Sequence, residues 1–384
     1  MTARPDPREL GGRLPISVVS DPKELQRMAE VWDSFVVAHA ANPFFLSGFV
    51  KFFMLSCRAR GWEPALLVKT SGGDLVGIAA FKTKTTLGVK TAEFLFPVSF
   101  SPDFLTTPEE SLSFPLESVD YLFRNLGCQL AELVLPGGSH HMATLRKWSD
   151  SRVVLFRRLP PKGLLAHSVL PVAGTWEEFS KARGGNFVRH YAKIERKLRQ
   201  EGEPSYESVT VDRQEVVDRV ILVEKKSWKE EYRKGEGGVG DADLEMLLTY
   251  SRGSSEVGLQ YAPRAWFLKI DGEPIAYALA ILFKGRGFIV KTSYDAGYSR
   301  YYPGDYVQNL AIRDMFHSGR ISLIDFHTWL PYHTRWTTMF QARERVRLCK
   351  TGVLAGLLVS FDRTPTSSRI SKAAMNRVGM IDIS

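Results

Sequence analysis

Apolar residues recur along this chain in two textures: helical stripes spaced three and four apart, and short runs broken by turn residues. Between Asp21 and Ala41, the residues Leu25, Met28, Trp32 and Phe35 fall on one helical face, with Asp21 placed to cap its start. Asn42-Pro43 ends that stripe, and Leu46 to Arg60, dense in Phe, Val, Leu and Met, predicts a second helix. Three apolar runs follow, Pro64-Ala-Leu-Leu-Val-Lys, Leu75-Val-Gly-Ile-Ala-Ala-Phe and Thr91-Ala-Glu-Phe-Leu-Phe, separated by Ser71-Gly-Gly and by Gly88. Breaks that accept positive φ make this a β-meander. After the loop at Ser101-Pro-Asp come a helix over Leu116 to Leu126 and a strand over Gln129 to Leu135.

The second half returns the same order. Its meander is Arg264-Ala-Trp-Phe-Leu-Lys, Ile275-Ala-Tyr-Ala-Leu-Ala-Ile-Leu-Phe and Phe288-Ile-Val-Lys-Thr-Ser-Tyr, broken at Asp271-Gly and Gly285-Arg-Gly. Helices precede it: one capped by Thr175 with Glu178 at capping-box spacing, then Asn186 to Glu201, Val216 to Tyr232 and Asp241 to Ser251. A strand is expected over Pro204 to Val211, a helix over Pro303 to Ser318 and a last strand at Ile321-Ser-Leu-Ile-Asp-Phe. Two copies of one layered unit predict an α/β (α+β) chain of two tandem domains, each a mixed, mostly antiparallel sheet flanked by helices. The boundaries read as a flexible leader over 1–19, domains over 20–160 and 161–350, and a tail over 351–384 with a weak amphipathic helix near Ser367 to Val378.

Length agrees: 384 residues exceed what one core usually supports. No apolar run reaches the ~18 residues that cross a bilayer. Met1-Thr-Ala-Arg-Pro-Asp-Pro has no apolar stretch behind its charge, so no secretion signal is expected. Cys57, Cys128 and Cys349 lie far apart at no metal-ligand spacing and fit buried thiols in a reducing cytoplasm. A formal net charge of +9 favours an anionic partner: a phosphorylated cofactor, nucleic acid or an acidic membrane face.

Candidate chemistry gathers after the second meander, where an aromatic loop leads to Pro303-Gly304. Pro suits the first turn of a helix and Gly lets a ligand approach the backbone, so the free N–H groups there form an anion site fit for a pyrophosphate. In Asn186 to Glu201 the stripe Phe187, Tyr191, Ile194 and Leu198 faces the core. Arg189, Lys193, Arg196, Lys197 and Arg199 occupy the rest, either as a solvated face or as a cationic rim for an acidic substrate, coenzyme phosphates or RNA. Glu224 and Trp228 lie one turn apart on the long helix, and Trp329, Tyr332 and Trp336 cluster near Arg335. His140-His141 has no cysteine or carboxylate at metal spacing, so no metal is assigned.

A family likeness rests on Asn42-Pro-Phe-Phe-Leu and Gly61-Trp-Glu-Pro in the first half. In the second half it rests on Asn186-Phe-Val-Arg-His-Tyr-Ala-Lys-Ile-Glu-Arg-Lys-Leu, Ser227-Trp-Lys, Asp271-Gly-Glu-Pro-Ile-Ala, Tyr294-Asp, Pro303-Gly304 and Ile324-Asp-Phe. In their order and spacing the chain resembles the GNAT acyltransferase superfamily, in its duplicated-domain branch of CelD-type acetyltransferases, and more distantly the Fem-type peptidyltransferases. The family's glycine after the Asp-Phe pair is absent here, and His333 stands where its lysine is expected.

The resemblance implies transfer of an acyl group from acetyl-coenzyme A, or another acyl-coenzyme A, to an amine of a small molecule or a sugar or amino-acid derivative. It places the thioester carbonyl at the end of the strand Phe288 to Tyr294, with Tyr294, Pro303, Gly304, Asp305 and Tyr306 around the donor. Asp325, His327 and Glu224 are then candidate bases, and Tyr294 and Tyr332 candidate acids. His327 needs the least tuning. Trp228, His333, Arg335, Trp336, Arg189 and Lys193 are expected around the substrate. The first half, without a Pro-Gly helix start, is expected to serve as scaffold or acceptor wall. Two alternatives stay open: a Fem-like transferase using aminoacyl-tRNA, and a scaffold that has lost donor binding.

Overall fold

The computed structural model describes residues 15–147, 153–158, 166–227, 248–249, 261–349 and 381–382. The first half starts with β1 (Ile16–Val19), α1 (Pro22–Arg27), α2 (Ala29–His39) and α3 (Ser47–Ala59). Its meander is β2 (Glu63–Ser71), β3 (Asp74–Thr86) and β4 (Val89–Phe94). Then come β5 (Leu105–Thr106), α4 (Ser113–Arg124), β6 (Leu130–Pro136), α5 (His140–Lys147) and β7 (Val153–Arg158). The second half runs β8 (Ala166–Pro171), α6 (Trp176–Ala182), α7 (Gly185–Leu198), β9 (Pro204–Thr210) and α8 (Gln214–Lys225). Its meander is β10 (Tyr261–Ile270), β11 (Glu273–Phe283) and β12 (Arg286–Tyr294). After it lie α9 (Pro303–His317), β13 (Leu323–Asp325), β14 (Met339–Cys349) and β15 (Ile381–Asp382).

The halves are built alike. In each, the last meander strand pairs in parallel with the strand that follows the next helix, β4 with β6 and β12 with β13. Apart from β14 with β15, the other ladders are antiparallel, and among the described residues the two kindred arrays join through β14 into one large mixed sheet flanked by helices. The turns explain the meanders: Gly72-Gly73, Leu87-Gly88, Asp271-Gly272 and Lys284-Gly285 all take positive φ, the backbone that lets a two-residue turn match strand twist. Helices α2 and α3 share a core with the meanders of both halves, where Phe44 meets Phe288 edge-on at 5.9 Å.

Two elements depart from the pattern reading. The stripe from Asp21 to Ala41 is two helices, because Met28 leaves helical geometry (ψ 13°) and both closes α1 and opens α2. Strand β14, which the periodicity did not reveal, belongs to both arrays. Phe340 to Ala342 pair with β8, Arg343 pairs with β6, and Glu344 to Cys349 lie between β6 and β7 of the first half. Its charges hid it: Arg345 and Arg347 are neutralised by Glu132 at 3.2 and 2.5 Å, which lets Val346 and Leu348 bury fully on the opposite face. A second-half strand inside the first half's array fixes the two units against each other.

The three cysteines are buried and unbridged. No described helix is long and apolar enough to cross a membrane. Trp228, most of Asp241 to Ser251, and Ser367 to Val378 lie outside the described residues.

Candidate active site

Strands β12 and β13 pair over only three positions, Arg286 to Phe288 with Leu323 to Asp325. A bulge then turns β12 away: its partner on β11 steps from Ala280↔Ile289 to Leu279↔Lys291, leaving Val290 without a match. From Ile289 to Tyr294 the β13 side of β12 has no strand partner among the described residues, so backbone N–H and C=O groups edge an opening. A cavity of about 630 Å³ fills it. Its walls are Ile289 to Thr292 and Tyr294, the start of α9, the segment Phe326 to Thr328, Tyr332 to Arg335 in part, and Ser99 and Phe100 from the first half.

Gly304 and Asp305 bring the first turn of α9 to this cavity. Gly304 is buried against Tyr294, whose Cδ1 would lie 2.7 Å from any added Cβ; a larger residue has to displace that ring. Asp305 is held by several partners. Its carboxylate holds Arg335 in a close ion pair, accepts from Tyr191 at 3.3 Å and meets His190 Nε2 at 2.8 Å. Arg335 also lines the cavity, so the cation at the helix start is positioned by an acid of that same helix. With the exposed N–H groups of the first turn, this is an anion-binding arrangement.

Past β13 the chain turns sharply. His327 has φ +58°, and its backbone N–H donates to Asp325 Oδ1 at 2.7 Å. The imidazole is 5% exposed, stacked on Phe288 and touched edge-on by Phe44. Nδ1 lies 3.1 Å from the Ser99 carbonyl, which only accepts, so Nδ1 carries the proton and Nε2 keeps its lone pair. Nε2 is buried and has no hydrogen-bond partner among the described residues. Burial lowers the pKa of His327 to about 4, so the ring is a neutral acceptor at neutral pH.

Asp325 is not a free base. Its Oδ1 takes both the His327 amide and His167 Nδ1, at 2.8 Å, and it does not line this cavity. Burial pushes its carboxyl up, but the His167 imidazole outweighs this and holds it well below the usual range. His167 in turn reaches Gln341 Oε1 through Nε2 at 2.8 Å. Its role was invisible in the sequence, since Asp325 is its partner across 158 positions.

Beneath this turn lies Arg343, fully buried, donating to the carbonyls of Ser99 (3.1 Å) and His327 (3.2 Å) and to Ser101 Oγ (3.3 Å). One guanidinium therefore ties the first-half loop to the turn that carries the imidazole. Arg343→Ala is expected to cost about 1–3 kcal/mol for each buried acceptor it leaves unsatisfied; urea unfolding measures it.

Several expected residues fall elsewhere. Glu224 is buried on α8, bonded by the Tyr277 hydroxyl and 3.6 Å from Lys291, and it is Lys291, a lysine unnoticed within an apolar strand, that lines the cavity. Helix α8 ends at Lys225 and Ser227 pairs with Asp295 in an isolated bridge, while Trp228 lies outside the described residues. Trp336 is a core residue, stacked on Phe326 with Nε1 on Asn309 Oδ1 at 3.0 Å. His333 borders the cavity but is 2% exposed; Nδ1 accepts the Leu330 amide, and burial lowers its pKa to about 3. Pro303 and Tyr306 do not line the cavity, and Tyr306 packs toward α7. Arg189 and Lys193 are exposed on α7 and do not line it either. Tyr332 does, with its pKa raised to about 12 by burial and then by Asp305, so its hydroxyl holds a proton to give.

The two depressed histidines make stability pH-dependent. Unfolded imidazoles take up a proton near pH 6.5, whereas His327 and His333 resist until about 4 and 3, so the unfolded chain is favoured as pH falls below 6.5. The urea midpoint is expected to drop between pH 7 and about 5, and the drop to shrink in His333→Gln. Among the described residues no group of three or more His, Cys, Asp or Glu is placed to hold a metal.

Residues 185–336, which include every second-half wall of the cavity, match the acetyltransferase (GNAT) domain family. No curated protein matches the sequence. Among solved structures, the C-terminal domain of a protein described as a lysylphosphatidylglycerol synthetase from Agrobacterium fabrum is similar at TM-score 0.53 and 10% identity, over 88% of this chain and 95% of that one. L-PGS from Bacillus licheniformis gives 0.52 and 12%, over 90% and 96%. FemX gives 0.53 and 10%, over 87% and 97%. At such identities the likeness is one of fold.

Proposed function

Because residues 185–336 match the acetyltransferase (GNAT) domain family, we propose that the chain moves an acyl group from an acyl-coenzyme A, held in the β12–β13 opening, to an amine. The observation that carries this is the divergence of β12 from β13 beside the glycine start of α9. It offers edge N–H and C=O groups to an amide-bearing arm and helix-start amides with Arg335 to phosphates. Lys291 adds a second cation on the same wall.

The chemistry follows from the two titratable groups at the cavity. The amine nitrogen attacks the thioester carbonyl carbon; the C–N bond forms as the C–S bond breaks. His327 Nε2 takes the proton from nitrogen, and the Tyr332 hydroxyl delivers one to the departing thiolate. An N–H of the free β12 edge polarises the carbonyl. The Phe100 ring from the first half lines the cavity beside His327, which supports reading that half as a wall. Thermal-shift titration with acetyl-coenzyme A, longer acyl-coenzyme A and free coenzyme A tests the donor. Stabilisation by all three is expected, and none by any would refute the reading.

An aminoacyl-tRNA donor is the second reading, favoured by the exposed Arg189, Lys193 and Arg196 along α7. It requires binding that weakens steeply with salt and tRNA that co-purifies.

A further inference from the structure

His327 borders a second cavity. A space of about 380 Å³ lies between the two halves and shares both His327 and Phe100 with the donor cavity. One side of it is polar and already organised. Asp103 accepts His141 Nδ1 at 2.9 Å and Ser139 Oγ at 2.7 Å, and the chain Asp325, His167, Gln341 runs alongside. The other side is aromatic, with Phe44, Phe45, Phe104 and Phe288. Of the described lining residues only Arg286 is a lysine or arginine. Between the two spaces sits the buried Nε2 of His327, a lone pair the fold leaves unmatched, which native interiors seldom do.

We propose that this inter-half cavity is the acceptor's site and that its ligand is a hydroxyl-bearing primary amine, an amino sugar being the simplest representative. The assignment rests on acyl transfer at the donor cavity. An amine arriving there brings an N–H to the unmatched Nε2 at the Phe100–His327 boundary common to both cavities, where its nitrogen meets the thioester carbon. Asp103 Oδ1 is filled by His141 and the Phe104 amide, whereas Oδ2 takes Ser139 and retains a lone pair that accepts a further hydroxyl. Aromatic faces cover the C–H faces of a saturated ring. A plain alkylamine offers no hydroxyl to the remaining Asp103 lone pair, and an anionic acceptor meets two carboxylates, so both are disfavoured. The reacting amine loses its proton to His327 as its nitrogen bonds the acyl carbon, and the sulfur leaves as the thiol, protonated by Tyr332.

The test uses the full chain loaded with coenzyme A or acetyl-coenzyme A, with glucosamine as probe and hexylamine as control. Asp103→Asn and His141→Gln are expected to raise the KM or Kd for glucosamine about tenfold, the loss of one buried polar contact. Affinity for coenzyme A should stay within about twofold, since neither residue lines the donor cavity. Hexylamine should bind weakly and ignore both changes. The assignment is overturned if glucosamine neither binds nor reacts, if hexylamine is preferred, or if both variants leave glucosamine handling unchanged. A wild-type chain that fails to bind coenzyme A refutes the donor reading instead, and calorimetry with coenzyme A alone separates the two failures.

Discussion

Replacing His327 by asparagine is expected to slow acyl transfer about 10²–10⁴-fold while the chain stays folded, the range for losing a positioned proton acceptor. Asparagine is the informative choice because residue 327 sits at φ +58°, a backbone that asparagine tolerates and most side chains resist. An alanine there would mix catalytic loss with backbone strain and a void among Phe44, Phe100 and Phe288. Release of free thiol from acetyl-coenzyme A gives the rate, and urea unfolding checks the fold. A folded variant with full activity would remove His327 from the mechanism. In the wild type, burial keeps the imidazole neutral down to about pH 4, so its acid limb in kcat should lie near that value rather than near 6.5. Asp325→Asn should differ from His327→Asn: it loosens both His167 and the His327 backbone, so rate and stability fall together.

The second large effect is expected at Gly304. Tryptophan there meets the Tyr294 ring at once, since even a Cβ would stand 2.7 Å from Cδ1, and the bulk goes into the mouth of the cavity. The Kd for acetyl-coenzyme A should rise about a hundredfold, equal to one or two charge-assisted hydrogen bonds of about 1.5–3 kcal/mol each. Isothermal calorimetry measures it. Undiminished binding in Gly304→Trp would move the phosphates away from the start of α9. Arg335→Gln offers a milder companion, because it removes the cation while Asp305 keeps His190 and Tyr191 as partners.

What the sequence made legible was whatever is local. Both meanders announce themselves through paired turn residues, the α7 stripe of Phe187, Tyr191, Ile194 and Leu198 is buried as its spacing requires, and Thr175 with Glu178 forms the expected capping box. What stayed hidden depends on distant partners. Strand β14 reads as a charged run until Glu132 is set beside Arg345 and Arg347. Arg343 looks like a surface arginine, yet it is buried under carbonyls from both halves. At the site, Tyr294, Gly304, His327, Tyr332 and Arg335, all singled out along the chain, line one cavity. The partners within it were not readable: Asp305 lines the cavity and also holds Arg335 in an ion pair. Trp336 looked like a wall and is core, because nothing local distinguishes a tryptophan that packs on Phe326 from one that meets a ligand.

Whether the parting of β12 from β13 receives the donor can be read directly by amide hydrogen exchange with and without coenzyme A. Slowed exchange confined to Ile289 through Tyr294 and to Gly304 through Tyr306 is the expected result. Exchange unchanged in both segments at saturating coenzyme A, or slowed only along α7, would contradict it.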